Sequence, residues 1–516
     1  MAEKINRIFL ECSETYIENL NTGIQRVVKN IVKRSEKMSK KYNVPIIPVV
    51  LDSKNGYVDL RFFLSQRNGN KNANNNDNNN DNKPQGNKIK KIKEFIKKIL
   101  KENFKLKETD AIFKFSKFLW ILMKKLKYTL IGFRQTIYYS LSPRRSEKTI
   151  FPQEGDLLIL LDGFWGYRYN NYFTYFCRRF KQKGGMIIAV IYDIIPLTNP
   201  EFFEKELVKR FKKKIYAFKN LVDVIMTISK NEAENIKNYL KDNLKIQNKK
   251  VLYFELGTDF IDKCLDESFY NGESSNLESS NLIKHVKLVK HENDAVIIRN
   301  DLINLIKLKE LKELKELKAA KTSNLYLMVG TIEPRKGHNY TLEAFEELWN
   351  GGFNGLLVIS GRIGWKIEDL LKKIESSPYL GKNLFVFNDL SDEELDFLYK
   401  NSDAVICASK REGFSLPLVE AAFCGKKVFA SDIPIFREIG EKYPVFSYFK
   451  AQKSGLIQAV KQFENTRKGK GKVFSRFDFN SAADSGTNAD INAEINADYV
   501  TWEQSVDTFF SKIFAL

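Results

Sequence analysis

The chain has 516 residues, 43% hydrophobic and 13% aromatic, which is more than one ordinary core holds, so two or three domains are expected. Its net charge of +20 calls for a partner or a location, and its five singly scattered cysteines (Cys12, Cys177, Cys264, Cys407, Cys424) exclude a disulfide framework and fit a reducing compartment. Only three histidines occur, His285, His291 and His338, so a His-centred triad or multi-His metal centre has little to be built from.

The opening MAEKINRIFLE has no apolar h-region, so no signal peptide is read, and FSKFLWILM is too short and lysine-flanked to span a bilayer. A cytoplasmic location is expected. Short apolar runs then alternate with helical patterns: RIFLECS (7–13), VPIIPVVL (44–51), DLLILLD (156–162), MIIAVIYD (186–193), DVIMTIS (223–229) and VLYFELG (251–257). A second series is NLYLMVGT (324–331), NGLLVISG (354–361), NLFVFND (383–389), DAVICAS (403–409) and KKVFAS (426–431). Runs of this length between amphipathic helices read as parallel strands, so two Rossmann-like doubly wound α/β domains are expected.

Interruptions mark the boundaries. Residues 68–87 hold an asparagine-rich tract with too little apolar surface to fold. From Lys88 to Lys127 there are 14 lysines and 4 acids, a net +10, half the charge of the chain. Apolar residues there recur at helical spacing (Ile92, Phe95, Ile96, Ile99, Leu100), so 88–130 reads as a basic amphipathic insertion in the first domain, suited to an anionic membrane surface. A solvated helical insertion packed on the domain remains the alternative. No nucleic-acid-binding motif accompanies the charge, so no nucleic-acid partner is expected. Residues 271–323 lose the strand pattern and end in IKLKELKELKELKAAK, read as a solvated linker helix. The expected layout is an acceptor-side domain over 1–265, a linker over 266–323, a nucleotide-sugar domain over 324–498 and a closing helix over 499–516 that packs back on the first domain.

The chemistry concentrates in two strand-to-helix turns. In REGFSLPLVE (411–420) a strand ends, Gly413 turns the chain and Pro417 suits the first helical position. The N–H groups of Phe414, Ser415 and Leu416 then form a helix N-terminus suited to a phosphate. Glu412 and Glu420 flank it, and a carboxylate accepting two hydrogen bonds suits a vicinal diol. In VGTIEPRKGHNY (329–340) Gly330 allows a close backbone approach, and Arg335 and Lys336 offer a fork and a point charge to a diphosphate. His338 reads as a polar helix-start residue, and Ser229 as a helix N-cap.

With these motifs in view, the C-terminal half resembles the retaining, nucleotide-sugar-dependent GT-B glycosyltransferases of family GT4. Glu412 and Glu420 match its E-x7-E motif, and GTIEPRKG matches its diphosphate loop. ISGRIGWKIEDL, DLSDEELDFLY and SDIPIFRE, with ECSETYIENLNTGIQRVV and IYDIIPLTNPEFF in the first half, resemble the mannosyltransferase-like branch of bacterial surface-polysaccharide synthesis. The resemblance covers roughly residues 5–50, 155–262 and 324–450. It implies two domains facing across a cleft and hexosyl transfer with retention. The donor is a nucleotide sugar, with GDP-mannose first, and the acceptor a hydroxyl of a lipid-linked or polysaccharide glycan.

The resemblance also implies roles. Glu412 would contact the donor sugar, Glu420 the ribose, and Lys336 with Arg335 the diphosphate, helped by Gly330, Thr331 and the 413–416 turn. Thr331 stands where many members carry arginine. Tyr192 and Asp193 replace the family's frequent acceptor-side histidine, so Asp193 becomes the candidate to orient or deprotonate the acceptor hydroxyl; its other reading is a cap of its own turn. Thr22 and Gly23 would reach the donor by backbone N–H groups. D-x-D-like patterns are confined to the asparagine tract, so a transfer without cofactor or metal is expected. The rival readings are a basic membrane or nucleic-acid scaffold without catalysis, and another GT-B enzyme such as an epimerase.

Overall fold

The computed structural model describes residues 5–18, 22–52, 56–65, 150–163, 172–258, 290–291, 294–295, 299–317, 324–443, 445, 447–468 and 499–516. The asparagine tract, the basic segment 88–130 and the stretch 469–498 lie outside the described residues. The chain divides into two compact units, Met1–Val190 with Asn220–Asp223, and Ile191–Lys219 with Val224–Leu516.

The strands β1 (Arg7–Glu11), β2 (Ile46–Asp52), β3 (Gly56–Asp59), β4 (Asp156–Leu160), β5 (Met186–Val190), β6 (Val224–Thr227) and β7 (Lys250–Tyr253) form a sheet in the order β3-β2-β1-β4-β5-β6-β7. β1 pairs parallel to both β2 and β4, so the strand order reverses between β1 and β4. Runs such as DLLIL are buried along their whole length because helices cover both faces of a parallel sheet. In the first unit the helix Tyr172–Gln182 lays Phe176 and Phe180 against Tyr57 and Phe9. Arg7 grips the buried Asp156 with two hydrogen bonds of 2.9 and 2.6 Å, fixing the register of β1 on β4.

A two-stranded hairpin, β8 (Lys290–His291) and β9 (Asp294–Ala295), lies in the segment where no strand was expected. The second sheet follows: β10 (Leu325–Val329), β11 (Leu356–Ser360), β12 (Leu384–Phe387), β13 (Ala404–Cys407), β14 (Lys427–Ser431) and β15 (Ser447–Phe449), in the order β12-β11-β10-β13-β14-β15. All its pairs are parallel. This is the doubly wound order, and its reversal falls between β10 and β13. One face packs on the helices His338–Asn350 and Lys453–Lys468 through Phe345, Trp349 and Phe463. The other packs on Asp392–Asn401, Leu416–Phe423 and Pro434–Gly440 through Leu398, Val419 and Phe436.

As far as Leu317, the charged repeat is part of a longer helix, Asn300–Leu317. That helix is not a solvated linker at its start: Leu302 and Leu305 are buried in the second core, and Lys309 pairs with Asp403 at 2.9 Å. The repeat motif alone hid this, because the apolar anchors precede it. The last helix, Trp502–Phe514, is capped by a Thr501–Gln504 box and sets Phe509 on Phe254 and the Lys512 ammonium on the Tyr253 carbonyl at 2.6 Å. Among the described residues no helix is long and apolar enough to cross a membrane.

Candidate active site

The two loops that leave β10 and β13 meet where the strand order of the second sheet reverses, the place at which open α/β sheets bind ligands. After β10 the chain runs through Gly330, Thr331 and a short 3-10 turn, Pro334–Lys336, then through Gly337 into the helix His338–Asn350. Gly337 has φ +83°, and a Cβ there would stand 2.1 Å from the Ala408 carbonyl oxygen, so only glycine lets the two loops close on one another. Lys410 N–H donates to the Arg335 carbonyl at 2.7 Å and completes the junction.

That junction delivers Arg335 and Lys336 to one carboxylate. Arg335 Nη1 donates to Glu412 Oε2 at 2.6 Å, and Lys336 Nζ donates to Glu412 Oε1. Ser409 Oγ donates to the same Oε1 at 2.7 Å. Arg335 is held further by Glu333 Oε1 at 2.8 Å and by the Arg411 carbonyl at 3.0 Å. Burial pushes the Glu412 carboxyl up, but Arg335 and Lys336 outweigh it and hold Glu412 below the usual carboxylate range. Glu333 shows the opposite balance: burial wins over the same two cations and raises it.

The helix after Glu412 runs Leu416–Phe423. It starts one residue earlier than expected, with Ser415 as N-cap and Pro417 at the second helical position rather than the first. Ser415 Oγ accepts the Leu418 N–H at 3.4 Å. Glu420, one turn into the helix, is 1% exposed and accepts a hydrogen bond from the Tyr399 hydroxyl at 2.9 Å. Gly413 and Phe414 form the turn between. A Cβ on Gly413 would lie 2.8 Å from the Tyr192 carbonyl oxygen and 2.9 Å from Asp193 Cβ, so the turn packs directly on the segment after β5.

That segment carries Tyr192 and Asp193 into the same group of charges. Asp193 Oδ1 accepts the Ile195 N–H at 3.1 Å, so Asp193 does cap its own turn. It also shares the field of Arg335, Lys336 and Glu412, and burial, opposed by Arg335, raises its carboxyl. Ser229 caps the helix Lys230–Leu244 by accepting the Glu232 N–H, and donates to the Gly413 carbonyl at 2.9 Å. Asp193, Arg335, Lys336, Glu412 and the 413–416 turn are therefore brought together, with Glu420 behind them on the same helix.

Gly23 opens the helix Gly23–Tyr42 in the first unit, with open space where a Cβ would stand. In the ISGRIGWKIEDL segment, Lys366 donates to the Glu201 carbonyl at 2.9 Å. His338 begins its helix as read, but it is not a solvated polar residue: it is 1% exposed, and burial, reinforced by Lys336, pushes it down to about 3. Sequence reasoning passed over Ser409, Glu333 and Glu232. Ser409 ends the quoted run 403–409, Glu333 lies inside the quoted turn 329–340, and each binds a motif residue, so their polarity next to a buried turn was the available signal. Among the described residues, no three His, Cys, Asp or Glu side chains are grouped so as to hold a metal ion.

Residues 309–469 match the sequence family of glycosyl transferases group 1. The serotype-specific mannosyltransferase WbdA of Escherichia coli is 33% identical over 272 residues, 51% of this chain and 28% of that protein. The O-antigen chain mannosyltransferase RfbU of Salmonella typhimurium is 26% identical over 161 residues, 31% of this chain and 44% of that protein. The chain thus spans less than a third of WbdA's length. Among solved structures, Anabaena HepE in complex with UDP and glucose aligns over 99% of this chain and 100% of that one with TM-score 0.49 and 11% identity, a likeness too loose to add to the topology above. Over residues 309–469, this chain is similar to the family of glycosyl transferases group 1.

Proposed function

We propose that the chain transfers a hexose from a nucleotide sugar to a hydroxyl of a glycan or lipid-linked glycan, with mannose from GDP-mannose as the first donor to test. The observation that carries the reading is the convergence of Arg335 and Lys336 on Glu412 where the second sheet's strand order reverses. Two partly buried cations beside a helix N-terminus suit a diphosphate. The named relatives, both mannosyltransferases, support mannose.

The steps follow from the side chains. The donor diphosphate takes the Arg335 and Lys336 donors that Glu412 accepts from, and Glu412 turns to the hydroxyls of the sugar. Glu420 accepts from the ribose. Asp193 orients the acceptor hydroxyl, which attacks the anomeric carbon on the face the diphosphate leaves. The carbon–oxygen bond to phosphate breaks, its electron pair stays on the phosphate oxygen, and that oxygen takes the acceptor proton, so configuration is retained. Lys336 and Arg335 stabilise the growing charge, and transfer proceeds without a metal. The basic segment 88–127 would hold the enzyme at the inner face of an anionic membrane, each nearby lysine adding on the order of 1 kcal/mol.

The test is turnover of a panel of nucleotide sugars with EDTA present, comparing the parent with Glu412→Ala and Lys336→Ala. One donor used by the parent and lost in both variants is expected. Equal turnover in parent and variants would overturn the reading. Deleting 88–127 without loss of sedimentation with anionic vesicles would remove the membrane part alone.

A further inference from the structure

Glu232 stands on the first turn of the helix Lys230–Leu244 and is 2% exposed. Its Oε1 accepts the Ile194 N–H at 2.7 Å, and Oε2 takes Asn235 Nδ2 at 3.2 Å. Ile194 directly follows Asp193, whose own carboxylate takes the next N–H, that of Ile195. The turn that presents Asp193 is therefore tied by two carboxylates, one of them from a different element. A small cavity of about 60 Å³ runs from Glu232, Asn231 and Asn235 past Ile194 to Arg411 and Glu412.

We propose that Glu232 is a positioning residue of the transfer site, holding the Asp193 turn against the Gly413 loop, and that its ionisation switches transfer off on the alkaline side. This deepens the transferase reading, and its kinetic arm rests on that reading. The charges that face Glu232 come from three neighbouring elements. Asp193 lies on the turn after β5. Arg411 and Glu412 lie on the loop after β13, with Arg335 and Lys336 behind them. Glu438, on the helix Pro434–Gly440, accepts the Lys230 and Asn231 N–H groups at 2.8 and 2.7 Å. The carboxylates outnumber what Arg335, Lys336 and Arg411 can offset once a diphosphate arrives. Burial, then Asp193, push the Glu232 carboxyl up to about 8. In the neutral acid the carbonyl oxygen keeps the Ile194 bond. Ionised, Glu232 adds a negative charge beside Asp193 and across the cavity from Glu412, where the donor's anion must settle.

The experiment compares the full chain with Glu232→Gln and Glu232→Ala from pH 5 to 9.5, reading kcat/KM and Tm. The parent rate is expected to fall with a midpoint near pH 8. Glu232→Gln, which keeps an acceptor for Ile194 N–H but cannot ionise, is expected to hold its rate about one pH unit further. Glu232→Ala is expected to lose about tenfold at every pH, because the N–H is left without its acceptor. An unchanged alkaline limb in Glu232→Gln overturns the proposal, as does a loss in that variant equal to that of Glu232→Ala. If no nucleotide sugar is turned over, the proposed function fails while the thermal arm still decides on Glu232. The folded chain keeps a proton that the unfolded chain has released, so the parent Tm falls between pH 5 and 8, and Glu232→Gln falls less. Equal slopes overturn the assignment.

Discussion

The two sheets reverse their strand order at β1/β4 and at β10/β13, and the carboxylates at the two reversals behave in opposite ways. At β10/β13, Glu412 is bonded to Arg335, Lys336 and Ser409 and is held below its ordinary range. At β1/β4, Glu11 ends β1 and Asp162 follows β4, both buried. Asp162 takes the Thr15 N–H at 2.9 Å and the Thr15 hydroxyl at 2.5 Å, and Glu11 takes the Ser13 N–H at 3.3 Å. Burial and the Asp162 charge push Glu11 up to about 8, and burial pushes Asp162 up to about 6. Burial is common to both places, so the cations alone account for the difference. A fold of this kind fixes where its strand ends gather; residue choice at those ends fixes whether the place attracts an anion or keeps a proton.

The largest effect comes from removing a cation. Lys336→Ala should lower transfer by about 100-fold or more, since the group that stabilises the leaving phosphate is gone. Steady-state kinetics and calorimetry with a nucleoside diphosphate check it. The comparison breaks if the variant binds the diphosphate as the parent does. Next comes the carboxylate itself. Glu412→Gln frees Arg335 and Lys336 from an internal rival, so a bare nucleoside diphosphate should bind about tenfold more tightly, while transfer falls because one of the two oxygens that accept from the sugar becomes a donor amide. Weaker diphosphate binding in this variant would mean that Glu412 does not compete for the cations.

At the β1/β4 reversal the prediction concerns pH. Glu11 is raised in the folded chain, so its protonated form stabilises the fold. That contribution is complete below about pH 4.5 and is lost as pH rises toward about 8. Glu11→Gln should flatten the fall of Tm between pH 5 and 8 by a few degrees, read by calorimetry at stepped pH. A Tm that rises over that window and is unaltered by the substitution would mean that Glu11 is ionised throughout.

Much of the second domain was legible because its strands are long unbroken apolar runs. LYLMV, LLVIS and KVFAS were found within two residues of their observed ends. The 411–420 and 329–340 turns were legible because glycine, proline and charge punctuate them together. The edge strands β3 and β15 were not: GYVD and SYF are too short and too mixed to show a period. Nor could periodicity show that Leu302 and Leu305 anchor the helix before its charged repeat. Glu232 was hidden for a different reason. In SKNEAENI it reads as an ordinary first-turn acid favoured by the helix dipole, and its actual partner, Ile194 N–H, is 38 residues away. Contacts of that range are set by topology, which single-sequence patterns do not contain.

The smallest effects sharpen the comparison best, because the same chemical deletion can be made at each reversal. Ser409→Ala removes one hydroxyl donor from Glu412, which keeps two cations; Thr15→Val removes one hydroxyl donor from Asp162, whose remaining donors are backbone N–H groups. A hydrogen bond to a charged group is worth about 1.5–3 kcal/mol when nothing replaces it, and nearer 1 kcal/mol when other partners share the charge. Thr15→Val should therefore cost more stability than Ser409→Ala, about 2 kcal/mol against about 1, measured by denaturant unfolding at pH 7.5. Lowering the pH to 5 protonates Asp162 and leaves Glu412 ionised, so the cost of Thr15→Val should shrink while that of Ser409→Ala holds. If both costs are equal at pH 7.5 and neither moves with pH, the two carboxylates carry the same charge, and the cations do not set them apart.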